Sequence, residues 1–266
     1  CAPCSRHPNA NGRSGRLDKP RAAGHTGPVS WALLDMLFSR ACEGCGASLA
    51  EDESGFLCWD CRAGVRFVQV PFCERCGDPV PGSIGGPFEC AGCRGLQPAF
   101  DWARSAVHYD GAAKSCVRRF KYQAGIWLQD ELVGWLAALW RTCPVEIRAA
   151  DFVTGVPLYP RRERERGYNQ AALLASGLAE KVGMPFRPRT LGRKKPTATQ
   201  THLTAVQRVH NVKGVFSVLR PGEVRGARIA LVDDVMTTGA TVNECARALK
   251  AAGAAAVMVL TVARGG

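Results

Sequence analysis

The stretch that decides the fold is Ile229–Thr241, IALVDDVMTTGAT. Four apolar residues, Ile229 to Val232, run directly into two acids, Asp233 and Asp234. A Thr/Gly turn follows through Thr237, Thr238, Gly239, Ala240 and Thr241. Beyond it Val242, Ala246 and Leu249 fall on one helical face. A short continuous apolar run bounded by turn residues suits a strand buried on both faces of a parallel sheet. Ligands of such sheets sit beyond the carboxyl ends of the strands, where the acids and the turn lie. A turn entering a helix presents backbone N–H groups under a positive dipole, which makes a phosphate cradle. The carboxylates repel phosphate. They suit sugar hydroxyls, or a share in holding a divalent cation. Together the two halves describe a ribose 5-phosphate site.

The same thirteen residues resemble the phosphoribosyl pyrophosphate (PRPP) motif of type I phosphoribosyltransferases, with no position out of pattern. The resemblance implies that Asp233 and Asp234 meet the ribose 2′- and 3′-hydroxyls and that Thr237–Thr241 hold the 5-phosphate. A buried strand ending in surface acids and a Thr cap is the plainer alternative.

Length and composition fit this reading. The chain has 266 residues, 46% hydrophobic and 22% charged, with a net charge of +12. That accommodates an α/β domain of about 150 residues plus a smaller module. No apolar run reaches the roughly 18–20 residues of a membrane span. Residues 1–29, rich in Pro, Gly, Ser and Arg, are expected to form a disordered basic tail rather than a signal peptide. Cys1, Cys4 and His7 within it are taken as incidental. Trp31–Arg40 is expected to be a short helix, capped by Ser30, with Trp31, Leu34, Leu37 and Phe38 on one face.

Four CxxC pairs follow: Cys42/Cys45, Cys58/Cys61, Cys73/Cys76 and Cys90/Cys93. Two pairs per site give two tetrahedral zinc–thiolate centres. Cys42/Cys45 is assigned with Cys58/Cys61, and Cys73/Cys76 with Cys90/Cys93, because each set opens on a Cys-Gly knuckle at Gly46 or Gly77. Crossed pairing is the lesser possibility. Four disulfides are the rival, and they require an oxidising compartment. Between 42 and 93 there are eight acids and three bases, a charge of −5, so the remainder carries +17. An acidic module is a poor partner for nucleic-acid phosphates, which points to a structural or docking role.

The basic half begins near residue 100. Strands are expected at Arg104–Tyr109, Asp151–Val156, Val215–Val218 and Ala256–Val262, with helices at Ala112–Tyr122, Gly125–Trp140 and Asn169–Val182. Arg118, Arg119, Lys121 and Tyr122 close the first helix, either complementing its dipole or facing a ligand. Arg161, Arg162, Arg164 and Arg166 alternate with Glu163 and Glu165 in a segment read as a loop. It is either a self-paired solvated loop or, by its resemblance to the pyrophosphate loop of the same enzymes, a polyphosphate grip. Residues 187–213 hold seven bases, Arg193, Lys194 and Lys195 among them, and no acid. They occupy the place of the family's flexible catalytic loop. A nucleic-acid arm and a merely solvated loop are the alternatives.

Two cysteine ribbons before a phosphoribosyltransferase pattern, together with RRFKY, VPLYPRRERERGYNQ and TQTHL, resemble the ComF family of bacterial competence proteins. The resemblance implies an α/β type I phosphoribosyltransferase fold over 98–266, a helix and double zinc ribbon over 30–97, and two structural Zn2+. It further implies PRPP with Mg2+ as ligand, a cytoplasmic location, and a role in DNA uptake or nucleotide salvage. Implied partners are PRPP or a ribose 5-phosphate nucleotide, single-stranded DNA and other competence proteins. Whether the fold turns over an acceptor as a phosphoribosyltransferase or serves as a single-stranded DNA-binding module stays open at this level. No string announces the acceptor.

Overall fold

The structure is a computed structural model in which residues 40–49, 55–195 and 212–265 are described. The tail at 1–29, the helix expected at Trp31–Arg40 up to residue 39, and the TQTHL string lie outside the described residues.

Six strands are described: β1 Trp102–His108, β2 Phe152–Gly155, β3 Leu191–Arg193, β4 Phe216–Val218, β5 Arg228–Met236 and β6 Ala256–Arg264. The helices are α1 Trp59–Ala63, α2 Ala91–Leu96, α3 Gly111–Tyr122, α4 Gln129–Thr142, α5 Val145–Arg148, α6 Pro160–Arg166, α7 Gln170–Val182, α8 Pro221–Val224 and α9 Ala240–Ala251. Four strands make a parallel sheet in the order β1-β6-β5-β2, and β3 pairs with β4 in a separate antiparallel ribbon.

The sheet is buried on both faces, as the unbroken apolar runs require. Alternation along β5 places Ile229 and Leu231 in one core with Phe152, Val242, Cys245 and Leu249. Ala230 and Val232 enter the other core, with Phe120, Leu132, Leu136 and Leu174. Helix α7 starts where the Asn169 side chain accepts from the amides of Ala171 and Ala172 at 3.0 and 3.3 Å. This is the usual N-cap arrangement.

Three sequence expectations need correction. The apolar strand was expected to stop at Val232, but β5 runs through the acids to Met236. Its pairing with β6 continues at Asp233↔Thr261, Val235↔Ala263 and Met236↔Arg264, and a partner of equal length carries the ladder onward. The segment read as an arginine loop is the seven-residue helix α6. It begins at Pro160, a residue preorganised for a first helical position, and it places Arg161 one turn from Glu165 at 2.8 Å. Arg193, expected in a flexible loop, is the last residue of β3. Lys194 continues the pairing through its amide, 2.8 Å from Val215 O, and Lys194 and Lys195 are exposed.

The cysteine module packs against the sheet rather than standing apart. From Arg40 onward the chain forms one compact unit. Cys42, Leu57 and Val65 join one core, whereas Cys73, Cys76 and Cys93 join the other. Between the two ribbons, the chain lies along the outer edge of β1. Val68 N donates to Ala106 O at 2.9 Å and His108 N to Arg66 O at 2.8 Å. Ala103 N donates to Arg75 O at 2.9 Å farther along the same edge. An otherwise open strand edge is thereby covered.

Charge complements the seam. Arg62 grips Glu131 with two bonds of 2.9 Å, and Glu131 is almost fully buried. Arg104 reaches Glu74 at 3.0 Å while lying over the rings of Phe72 and Trp102, 4.2 and 4.4 Å from their centres. Arg264 holds Asp78 at 2.8 Å. Such fork-like, partly buried pairs are stronger than exposed ones.

At Gly155, at the end of β2, an added Cβ would lie 2.6 Å from Ala171 O, backbone that cannot yield. Gly155→Ala is expected to lower stability by about 1–3 kcal/mol through overpacking, measured as a shift in denaturant midpoint.

Candidate functional site

The acids occupy the carboxyl end of β5 and turn to opposite faces, as alternation along a strand dictates. Asp233 and Asp234 are 8% and 3% exposed. Asp234 faces α3, where Lys121 Nζ lies 3.0 Å from one carboxylate oxygen and 2.9 Å from the other. Burial alone would lower the Lys121 pKa, but Asp234 and Asp233 outweigh it and raise it. Lys121 therefore stays charged. Asp233 lies on the α9 face, where Arg193 and Cys245 act on it or feel its charge. Burial, with the Asp234 charge behind it, pushes Asp233 up to about 7, although Lys121, the Asp234 amide and Arg193 oppose that rise.

After Met236 the chain turns through Thr237, Thr238 and Gly239 into α9. Gly239 takes φ 73°, a left-handed conformation natural to glycine. Its position is also crowded, since a Cβ there would meet Met236 Cε at 2.8 Å. The Thr238 hydroxyl accepts from Ala240 N at 3.4 Å, and Asn243 N closes the first helical bond onto Gly239 O at 2.9 Å. The turn's amides precede that bond, the arrangement in which helix starts bind anions. Thr238 is exposed, Thr237 and Thr241 are half-buried, and Gly239 and Ala240 are buried.

The arginines of α6 divide. Arg161 and Arg164 are exposed, whereas Arg162 and Arg166 are half-buried. Arg162 and Asp233 both act electrostatically on Arg193, whose pKa burial lowers. Arg162 and Asp233 are therefore both neighbours of Arg193. Arg166 lies 5.4 Å from the ring centre of exposed Tyr122 and also bonds Gln170. Tyr168 does not face solvent. It is 9% exposed, and its hydroxyl donates to Phe120 O.

The partnership of Lys121 with Asp234 spans 113 residues in sequence. Its only trace there is the basic end of α3. Trp127, 43% exposed beneath Arg119, gave no signal among core-like helix residues.

The eight cysteines gather as two tetrads, Cys42/Cys45/Cys58/Cys61 and Cys73/Cys76/Cys90/Cys93. Within each the sulfurs lie within 4.8 Å of one another. Gly46 and Gly77 take φ 78° and 65°. Backbone amides point at the sulfurs: Cys58 N lies 3.2 Å from Cys42 Sγ, and Cys90 N lies 3.3 Å from Cys73 Sγ. Burial opposes ionisation of Cys42, but amides of Cys58, Cys45 and Gly44 outweigh it and bring its thiol down to about 6. Cys73 is brought to about 7 in the same way. Burial and the neighbouring sulfurs push Cys61 and Cys93 far up. Four sulfurs that hinder one another's ionisation form a cluster completed by a doubly charged cation. Two structural zinc ions fit it.

Two known families match the two parts of the chain. The family described as "Double zinc ribbon domain" matches residues 33–94, and "Phosphoribosyl transferase domain" matches 167–266. Competence protein F of Haemophilus influenzae is 31% identical, with 85% of this chain and 98% of that protein covered. The DNA utilization protein YhgH of Salmonella typhi is 34% identical over 78% and 90%. Competence protein ComFC of Bacillus subtilis is 26% identical over 75% and 80%. Among solved structures, the glutamine PRPP amidotransferase of B. subtilis aligns at 25% identity over 55% of this chain and 30% of that one, with a TM-score of 0.38.

Two outcomes follow from this geometry. Zinc analysis is expected to give two ions per chain, and Cys73→Ser to lower the melting temperature more than Cys45→Ser, since Cys73 is core and Cys45 is exposed. Asp233 binds its proton more tightly folded than unfolded, so the stability this proton contributes is lost as pH rises toward and through about 7. Melts at about pH 5 and pH 8 are expected to show that loss, and Asp233→Asn to flatten it.

Proposed function

The chain belongs to the competence protein F family, and we propose that it binds PRPP at the acid pair and the Thr237–Thr241 turn. One observation carries this reading. Two buried carboxylates stand at the end of a central parallel strand, directly before a glycine turn that opens a helix. The carboxylates accept from sugar hydroxyls, and the turn's amides and threonine hydroxyls donate to the 5-phosphate.

Arg162 and Arg193, with Arg166 nearby, supply positive charge for the pyrophosphate, while exposed Arg161 and Arg164 are left to steering. Lys121 neutralises Asp234, so the acid pair alone is no cage for a dication. Asp233 is the acid left to help hold a Mg2+ ion arriving with the ligand, and that ion would neutralise leaving-group charge. In a transferase reaction, the ionised carboxylate of Asp233, which Lys121 does not neutralise, favours positive charge developing on the ribose carbon. Such preorganised charge is usually the largest catalytic contribution. The acceptor is a nucleophile that the site residues do not name.

DNA uptake in the cytoplasm is the role we assign, since the relatives are named for competence and DNA utilization. A second reading has its own observation. Tyr122 and Trp127 are exposed aromatics beside Arg166 and Arg119. Rings interleaved with cations form a stacking platform for single-stranded DNA.

Calorimetry with PRPP and Mg2+ is expected to show binding by the wild-type protein and none by the Asp233→Asn/Asp234→Asn double variant with its fold retained by circular dichroism. Unchanged affinity would remove the PRPP site. Salt titrations with single-stranded DNA on Tyr122→Ala test the second reading, which requires weaker binding at every salt concentration.

A further inference from the structure

A cavity of about 420 Å³ lies between the second cysteine tetrad and the start of α9. It shares the turn Thr237–Ala240 with the phosphate site, but neither Asp233 nor Asp234 lines it. A ligand with its sugar on the acids and its phosphate at the turn would thus have this space next to its phosphate. The volume lies in the range of small-molecule sites.

The lining selects what fits. Leu96, Phe100 and Met236 give it an apolar wall, and Asn243 and Arg247 bring polar groups to its rim. Its two arginines are both paired, Arg247 with Glu244 at 3.0 Å and Arg264 with Asp78 at 2.8 Å. These four charged groups line the space and cancel, while Cys76, Cys90 and Cys93 of the thiolate centre line it too and leave its balance negative. It therefore offers no attraction to a further phosphate. A neutral planar group with polar edges, such as a nucleobase, matches it.

Building on the ribose 5-phosphate reading above, we propose that the site takes the 3′-hydroxyl end of a single-stranded oligonucleotide. The terminal sugar sets its free hydroxyls on the acid pair, the phosphodiester sits at the Thr237–Ala240 turn, and the preceding nucleoside fills the cavity. The acids set the polarity. They accept from hydroxyls, and a 3′-oxygen carrying a phosphate has no hydrogen to donate to them, so an internal nucleotide or a 3′-phosphorylated end is refused.

Three probes test this by calorimetry: uridine 5′-monophosphate, the dinucleotide UpU, and UpU carrying a 3′-phosphate. UpU is expected to bind about tenfold more tightly than the mononucleotide, the scale of one stacked base, although its diester carries less charge. The 3′-phosphate is expected to erase that gain. Leu96→Asp changes a side chain that is 67% exposed, so folding is spared. It is expected to bring UpU to the level of the mononucleotide and leave the mononucleotide unchanged. Mononucleotide binding with no gain for UpU overturns the cavity assignment alone, as does a gain that survives Leu96→Asp. Equal binding of the 3′-phosphorylated form overturns the end preference. Failure of the mononucleotide to bind overturns the ribose 5-phosphate reading, and this proposal falls with it.

Discussion

The parallel pairing of β5 with β6 is the constraint on which the rest depends. It continues past the apolar residues and holds Asp233 opposite Thr261 and Met236 opposite Arg264. Without that continuation two adjacent acids would end in a loose segment exposed to water. With it they become fixed groups of low accessibility, and their electrostatics change accordingly. One is neutralised by a lysine from α3, and the other is held with a proton affinity near neutrality. Backbone geometry sets the chemistry before any ligand arrives.

The ladder also joins the site to the cysteine module. Arg264 ends β6, and its guanidinium bonds both Asp78 and Cys76 O in the second ribbon, at 3.0 and 3.3 Å. The next residue, Gly265, donates to Met236 O at 3.0 Å, immediately before the turn. A cysteine knuckle thus braces the strand that braces the Thr237–Thr241 turn. The acidic composition of the ribbons takes on meaning here, because Glu43, Glu74 and Asp78 all face arginines of the basic domain. Opposite net charges on the two modules produce a seam.

Much of this was legible in the residues themselves. The strand-acid-turn-helix string and the four CxxC pairs carry their information locally, within a dozen or two residues each. Fold and metal centres follow from them, including the grouping of the cysteines. What could not be read was non-local or depended on context. The length of β5 depends on a partner strand. The α6 helix hid behind alternating charges that suit loop and helix equally. Arg193 joined a strand because Phe216 lies across from it, although its neighbours in sequence are basic and polar. Lys121 could be placed against Asp234 only once α3 had been packed on the sheet.

The segment joining the two ribbons, together with Arg75 of the second, covers the free edge of β1 with main-chain bonds. A chain synthesised in metal-starved cells would present that edge bare, next to the Val65 and Cys73 surfaces that normally sink into the two cores. Exposed strand edges beside apolar patches invite self-association and proteolysis. Zinc supply would then govern how much of the protein survives in the cell, independently of any nucleotide it binds.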